Sequence, residues 1–138
     1  MREINKVIIH CSATPNFKDV PFKTIDRWHK KRGFRDRATG IHCGYHRLFQ
    51  PSGLIEVGRP VTSIGAHCRG QNRNAIGLCV IGNGLTTEKQ LENVLDECWK
   101  LQMEYDLSPE NFRGHYEFTK RKTCPAFDMR MFRALLCA

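Results

Sequence analysis

Three polar residues at or near the ends of predicted sheet elements could bind one metal ion. His10 ends the apolar segment 6–10, His115 ends the segment 112–115, and Cys124 precedes a proline. A catalytic zinc takes three protein ligands and keeps a fourth position for water, and two imidazoles with one thiolate meet that count. Strand ends suit such ligands because a rigid sheet fixes them while loops leave one side open. These residues therefore predict a candidate metal site.

Each of these residues also has a plainer interpretation. A histidine that ends an apolar strand is commonly buried and hydrogen-bonded, and a cysteine before proline is commonly a buried thiol. The spacing does not decide between the two, because His10 is far from the other residues and no compact HExxH motif is present. Three other histidines, His29, His42 and His46, are interpreted as packing or surface residues. The residues alone indicate a metal site without establishing it.

Short segments bounded by turn signals predict the strands that would position these ligands. The most apolar of them, 75–81, is predicted to be central, and 112–115 is predicted to be a short edge strand. A Pro-Ser-Gly turn separates two further segments and indicates a hairpin. The predicted strands are 6–10, 44–50, 54–58, 75–81 and 112–115.

Three segments with helical periodicity predict helices. The first has Thr24 as its N-cap and ends at Gly33. The second spans 87–105, where Thr87 and Gln90 form a capping box. The last begins near residue 128. Because strands and helices mix without strict alternation, we expect an α/β fold, a single domain over 1–138 with a central mixed β-sheet flanked by helices.

The apolar residues of these helices predict which faces are buried. Trp28 and Trp99 are predicted to be core aromatics. The last helix is expected to bury the side that carries Met131, Phe132 and Leu135. The face predicted for the long helix comprises Leu91, Val94, Leu95, Cys98, Leu101 and Tyr105.

The charge and the cysteine count restrict the partners and the compartment. The net charge of +8, from 22 Lys+Arg against 14 Asp+Glu, favours an anionic partner such as an acidic cell envelope. The basic residues are dispersed and lack interleaved aromatic residues, which argues against nucleic acid. Seven cysteines, an odd number without a CxxC pair, indicate reduced thiols. No secretory signal or membrane-spanning segment is recognisable, so we expect synthesis in the cytoplasm without stable membrane insertion.

Four stretches, in order along the chain, resemble one known family. They are IIHCSAT at 8–14, GYHRLFQPSGLIEVGRP at 44–60, IGAHCRGQNRNAIGLCVIG at 64–82 and GHYEFTKRKTCPAFD at 114–128. The chain is similar over residues 7–132 to the type 2 N-acetylmuramoyl-L-alanine amidases, which include the amidase-type phage lysozymes and the peptidoglycan recognition proteins. The resemblance implies their α/β fold.

The resemblance also implies roles for individual residues. His10, His115 and Cys124 match the family's zinc ligands, and Tyr45 and Lys122 match its catalytic tyrosine and lysine. The segment between His115 and Cys124 is one residue longer than in similar phage enzymes, so Lys120 stays an alternative to Lys122. Members that only bind peptidoglycan commonly have serine in place of the cysteine, so Cys124 favours catalysis.

Four further residues are expected to bind substrate. His67 matches a histidine that lines the family's substrate groove, and Asn72 and Asn74 lie in a stretch that resembles its groove loop. The alternative for that stretch is a plain turn. Arg59 is a hypothetical contact for a carboxylate of the stem peptide, based on its charge and position.

The resemblance implies zinc-dependent hydrolysis of the amide bond between N-acetylmuramic acid and L-alanine in peptidoglycan. The expected protein is an antimicrobial, endolysin-like enzyme of a phage or prophage. It would act as a monomer on the cell wall after release through a holin-type pore. Two alternatives stay open. One is a peptidoglycan-binding module without activity, and the other is an amidase that also binds and regulates a phage RNA polymerase.

Overall fold

Five strands form one mixed sheet, which a computed structural model describes within residues 2–137. The strands are β1 (Lys6–Cys11), β2 (Arg47–Phe49), β3 (Ile55–Val57), β4 (Ala75–Val80) and β5 (Phe112–Gly114). Their order in the sheet is β3-β2-β4-β1-β5, so β4 is central and β5 is an edge strand, as predicted. β1 pairs in parallel with β4 and β5, β2 pairs in parallel with β4, and only β2 and β3 form the expected antiparallel hairpin.

Three helices cover the two faces of this sheet: α1 (Phe22–Lys31), α2 (Glu88–Tyr105) and α3 (Met129–Leu136). Alternate residues of a strand point to opposite faces. Ile9 of β1 therefore packs with residues of α2 and α3, whereas Cys79 of β4 packs with Ile25 of α1. The fold class is thus confirmed as a single α/β domain. Within the described residues, none of these helices has the length and apolarity needed to span a bilayer.

The predicted N-cap of α1 is wrong. The helix begins at Phe22 with Pro21 in the N-cap position, and Thr24 lies inside the first turn. The amide of Phe22 donates instead to the carboxylate of Glu56 on β3, at 3.1 Å. A carboxylate distant in sequence thus replaces the local side-chain cap at the positive end of the helix dipole.

The capping box of α2 is confirmed, and it also joins the helix to the sheet. The hydroxyl of Thr87 accepts from the Gln90 amide, and the Gln90 side chain accepts from the Thr87 amide. Gln90 is fully buried, and its Nε2 donates to the carbonyls of Phe49 and Ile81 at 2.8 and 2.7 Å. The predicted apolar face of α2 packs on the core as expected.

The prediction for the buried face of α3 is correct for Phe132 and wrong for Met131 and Leu135, and the prediction of two core tryptophans is wrong. In α3 the buried residues are Met129, Phe132 and Leu136, whereas Met131 and Leu135 are 70% and 44% exposed. Met129, Phe132 and Leu136 pack into the core, and Arg133, next to Phe132, donates to the Phe112 carbonyl and to Glu117. The two tryptophans are also partly exposed, Trp28 to 41% and Trp99 to 39%. Their helices direct the adjacent residues His29 and Cys98 inward instead.

Candidate active site

His10, His115 and Cys124 meet at the carboxyl end of β1. His10 is a residue of β1, and His115 is the first residue after β5, the parallel neighbour of β1. Because Ile9 pairs with Gly114, the two histidines that follow lie side by side. Their Nδ1 atoms are 3.1 Å apart, and the Sγ of Cys124 lies 3.8 Å from each. The three predicted ligands form the one cluster of metal-binding geometry found within the described residues.

These separations fit a tetrahedral zinc ion. With zinc–nitrogen bonds of about 2.05 Å and a zinc–sulfur bond of about 2.3 Å, two nitrogen ligands lie about 3.3 Å apart, and nitrogen and sulfur lie about 3.6 Å apart. The observed 3.1 and 3.8 Å agree with those edges to within about 0.3 Å. The donor set of two imidazoles and one thiolate also suits zinc. The cluster could therefore hold this metal with one coordination position left over.

The surroundings keep the imidazoles of His10 and His115 in their neutral form. Burial, followed by the nearby charges of His67 and His115, lowers the pKa of His10 well below its ordinary 6.5. Burial and then Lys122 lower the pKa of His115. Both rings are therefore uncharged at neutral pH, which is the form that binds metal.

Cys124 is held by Cys11. The backbone amide of Cys11 donates to the Sγ of Cys124 at 3.2 Å. A hydrogen bond with Cys11 and burial raise the pKa of the Cys124 thiol, and the same hydrogen bond lowers that of Cys11 to about 7. A metal ion that binds Cys124 would displace its proton. Cys43 is buried under the backbone of Tyr45 and is not part of the cluster.

The cluster opens into a cleft of about 960 Å³ with cationic walls. Of the residues described, no aspartate or glutamate lines it. Its charged residues are Arg32, Arg69, Arg121 and Lys122. A concave site with one sign of charge concentrates ligands of the opposite sign. The cleft therefore attracts anionic groups, and its three arginines were not singled out from the sequence.

The two predicted catalytic residues both line this cleft. The ring of Tyr45 lies 5.2 Å from that of His10, and burial raises the pKa of its hydroxyl well above the ordinary value. Tyr45 therefore keeps its proton at neutral pH. Lys122 lies on the cleft wall, whereas Lys120 is exposed and is not among the residues that line it. This placement favours Lys122 over Lys120.

The structure places His67 and Asn72 in the cleft, but both already have partners in the protein. The Nδ1 of His67 lies 2.8 Å from the Nε2 of His10. The side-chain oxygen of Asn72 accepts the amides of His67 and Cys68 at 3.0 and 2.9 Å. Asn72 therefore shapes the loop that carries His67.

Arg59 and Asn74, which were expected to bind substrate, are not among the residues that line the cleft. Arg59 is 4% exposed, and its guanidinium donates to the carbonyls of Cys43, Ile64 and His42. Those three bonds tie it to the protein interior and away from any ligand. The side-chain amide of Asn74 donates to the Glu3 carbonyl. Both side chains therefore hold backbone segments together.

His29 has a position that the sequence did not reveal. It is buried, as expected, and its Nδ1 accepts the amide of Gly44 at 2.8 Å. Its ring also lies 5.2 Å from that of Tyr45 and forms part of the cleft wall together with Phe34. No local signal marks this role, because it depends on how α1 is oriented on the sheet.

Glu117 anchors the turn that carries His115. It accepts the amide of Gly114 and a bidentate pair of bonds from Arg133 on α3, at 2.7 and 3.0 Å. Burial opposes the charge of Glu117, but the bonds from Arg133 and Gly114 prevail and lower its pKa below the ordinary 4.5. A carboxylate whose pKa is lower in the folded than in the unfolded state stabilises the fold at pH values above its ordinary pKa. This stabilisation is lost as the pH falls through the pKa of the folded state.

We expect Glu117→Gln to lower the free energy of unfolding by about 2 kcal/mol at pH 7, because charge-assisted bonds are lost. The difference from the parent protein should shrink as the pH falls below about 4.5, where the parent carboxylate takes up its proton. Urea unfolding of the metal-free proteins at several pH values measures this. Glu92→Gln, at an exposed position on α2, is the control. A difference that stays constant down to pH 3 contradicts the expectation.

Comparisons with known proteins show the family of the chain. The family profile of the N-acetylmuramoyl-L-alanine amidases matches residues 1–127, a span that contains all three cluster residues. The endolysin of Escherichia phage T7 is 30% identical over 132 residues, which cover 90% of this chain and 82% of the relative. The endolysin of Klebsiella phage KP32 is 28% identical over 137 residues, which cover 94% and 85%.

Solved structures show the same fold. The amidase LysC from Clostridium intestinale superposes with a TM-score of 0.84 at 24% identity, over 99% of this chain and 87% of that one. Drosophila PGRP-LB superposes with a TM-score of 0.74 at 22% identity, over 91% and 76%. The profile match covers most of the chain, so this protein belongs to the N-acetylmuramoyl-L-alanine amidase family of enzymes.

Proposed function

We propose that this protein is a zinc-dependent amidase that cuts the bond between N-acetylmuramic acid and L-alanine in peptidoglycan. The observation that carries the proposal is the approach of His10, His115 and Cys124 to distances that match the edges of a zinc coordination sphere. A module that only binds peptidoglycan does not need the thiol of Cys124, so the enzyme is the better supported reading.

When bound, zinc supplies a Lewis acid for activating water and polarising the amide carbonyl. The chain's own residues supply the rest. The protonated hydroxyl of Tyr45, on the cleft wall beside His10, orients the attacking water or the intermediate. Lys122 lies two residues before Cys124 and lines the cleft, and it donates to the oxygen that becomes negative.

The cleft charges supply the attraction for substrate. Peptidoglycan stem peptides carry carboxylates, and the guanidinium groups of Arg32, Arg69 and Arg121 surround the cleft. His67 and Asn72, which were expected to contact substrate, line the same cleft. Long-range attraction by such groups weakens as salt is added.

The named relatives indicate the biological setting. Because the T7 and KP32 relatives are endolysins, we propose that residues 1–138 act as one catalytic unit, a monomer, in phage-type lysis of the cell wall. The protein would be made in the cytoplasm and reach its substrate after holin-type release. A phage RNA polymerase partner stays a prediction, and no feature of the site supports it.

Digestion of purified peptidoglycan tests the reaction and the metal together. We expect new L-alanine amino termini to appear without new reducing sugar ends, since an amide and not a glycosidic bond breaks. Full chelation should reduce the rate to background, and added zinc should restore it. The control is the same chelator already saturated with zinc. Unchanged release of alanine termini under full chelation would overturn the metal mechanism, and release of reducing ends alone would overturn the amidase.

A further inference from the structure

His67 contacts the ligand residue His10 on the side of its ring that faces away from the other two ligands. His10 uses both ring nitrogens: its Nδ1 points towards His115 and Cys124, and its Nε2 lies 2.8 Å from the Nδ1 of His67. The two rings meet edge to face, with centroids 4.8 Å apart. His67 thus lies directly behind a proposed ligand and outside the ligand set.

The pairing of these nitrogens determines where the protons lie. A neutral imidazole carries one proton, so a His10 that binds a cation through Nδ1 must carry its proton on Nε2. That N–H then has to donate to the Nδ1 of His67, which must be an acceptor. His67 in turn carries its own proton on Nε2. The opposite arrangement, with His67 as donor, would place the His10 proton on Nδ1 and block the metal.

The ring of His67 is held in this orientation by its surroundings. A Cβ atom built on Gly77 of β4 would lie 2.5 Å from the His67 ring, and one built on Gly65 would lie 2.6 Å from it. The ring therefore rests on two backbone segments that have room only for glycine. Asn72 fixes the His67 amide from the other side.

No competing bond opposes the required tautomer. The Nε2 of His67 is buried and has no hydrogen-bond partner among residues 2–137. Within that part of the chain, the side-chain bond of His67 is therefore the one to His10. Partners behind a ligand histidine commonly fix its tautomer and ring orientation, and their loss weakens metal binding about 10- to 100-fold.

We propose that His67 is a positioning residue: its Nδ1 accepts the Nε2–H of His10 and thereby holds His10 in the tautomer and orientation that present Nδ1 to the metal. This role is distinct from the substrate contact expected from the sequence. It rests on the proposed function, since it requires a metal at the cluster.

The proposal is tested with two polar substitutions of similar size. His67→Asn places its side-chain oxygen where Nδ1 lies and keeps an acceptor for His10. His67→Gln places its polar group farther out, near the position of Nε2, and removes that acceptor. Zinc affinity is measured by competition with a chromophoric chelator. We expect His67→Gln to bind zinc about 10- to 100-fold more weakly and His67→Asn to remain within about threefold of the parent protein.

A third variant displaces the ring without changing its chemistry. Gly77→Ala puts a methyl group against the His67 ring, and we expect it to weaken zinc binding in the same direction as His67→Gln. Thermal unfolding of the metal-free variants shows whether each is folded. If His67→Gln fails to fold, the comparison of Gly77→Ala with His67→Asn decides in its place.

The outcomes separate this proposal from the proposed function. Equal zinc affinity in the parent protein, His67→Gln and Gly77→Ala would overturn the positioning role while the metal site stands. A raised KM with unchanged zinc affinity would do the same and assign His67 to substrate. A parent protein that does not bind zinc would overturn the proposed function itself.

Discussion

Replacing Cys124 with serine is expected to remove both bound zinc and amidase activity. A thiolate binds zinc far better than a serine hydroxyl, which keeps its proton at neutral pH, and the two remaining imidazoles make an incomplete site. Zinc content should fall from about one ion per chain to near zero, and the release of alanine termini should fall to background. Elemental analysis and the digestion assay measure the two effects.

The matched control for this substitution is Cys137→Ser. Cys137 is exposed at the end of α3, so its loss should change neither quantity. Because a serine hydroxyl at position 124 can accept the Cys11 amide in place of the thiol, the variant should stay folded. Full zinc content in Cys124→Ser would show that the ion is bound elsewhere and would contradict the proposed mechanism.

Lys122→Met should reduce kcat about 10²- to 10³-fold while zinc content stays unchanged. This loss corresponds to roughly 3–4 kcal/mol of stabilisation given to a developing oxyanion by one donor. Methionine keeps much of the length of the side chain and removes the charge. Steady-state kinetics on a soluble muropeptide measures kcat and KM separately.

Lys120→Met is the control, because Lys120 is an equally exposed lysine two residues away that does not line the cleft. It removes the same net charge, so a general loss of attraction for the anionic substrate would appear in both variants. Equal losses in the two would contradict a specific role for Lys122. A loss confined to Lys122→Met also settles the alternative that the longer loop before Cys124 had left open.

The parts of the fold that could be predicted depend on neighbours in sequence. The capping box of Thr87 and Gln90 spans one helical turn, and the central strand around Leu78 is a continuous apolar run. Both were correct. The N-cap at Thr24 failed because the acceptor that caps α1 is Glu56, more than thirty residues away.

The three residues of the cluster could be predicted from the sequence, but the hydrogen bonds around them could not. The positions of His10, His115 and Cys124 at strand ends, together with the family motifs, predicted the cluster. The bond between His10 and His67 joins residues 57 positions apart and leaves no local pattern. Arg59, a charged residue in a family motif, was expected to contact the stem peptide, and its guanidinium donates to three backbone carbonyls inside the protein.

Helix rotation was the remaining source of error. In a short helix, periodicity alone does not decide which of two neighbouring faces is buried. Met131 and Leu135 of α3 were predicted to be buried and are exposed. The contact between Arg133 and Glu117 accompanies that rotation, and it joins two elements whose packing the sequence does not display.

The short pairing of β1 with β5 limits where this chain can change length. Ile9 lies opposite Gly114, so a slip of one residue in that ladder would move His115 by about 3.3 Å along the strand. Zinc–ligand distances vary by only about 0.2 Å. Insertions in the connections between strands leave this alignment intact, whereas a single inserted or deleted residue within β5 would separate the two imidazoles. A change of one residue in length is therefore expected to disrupt the cluster when it falls within β5.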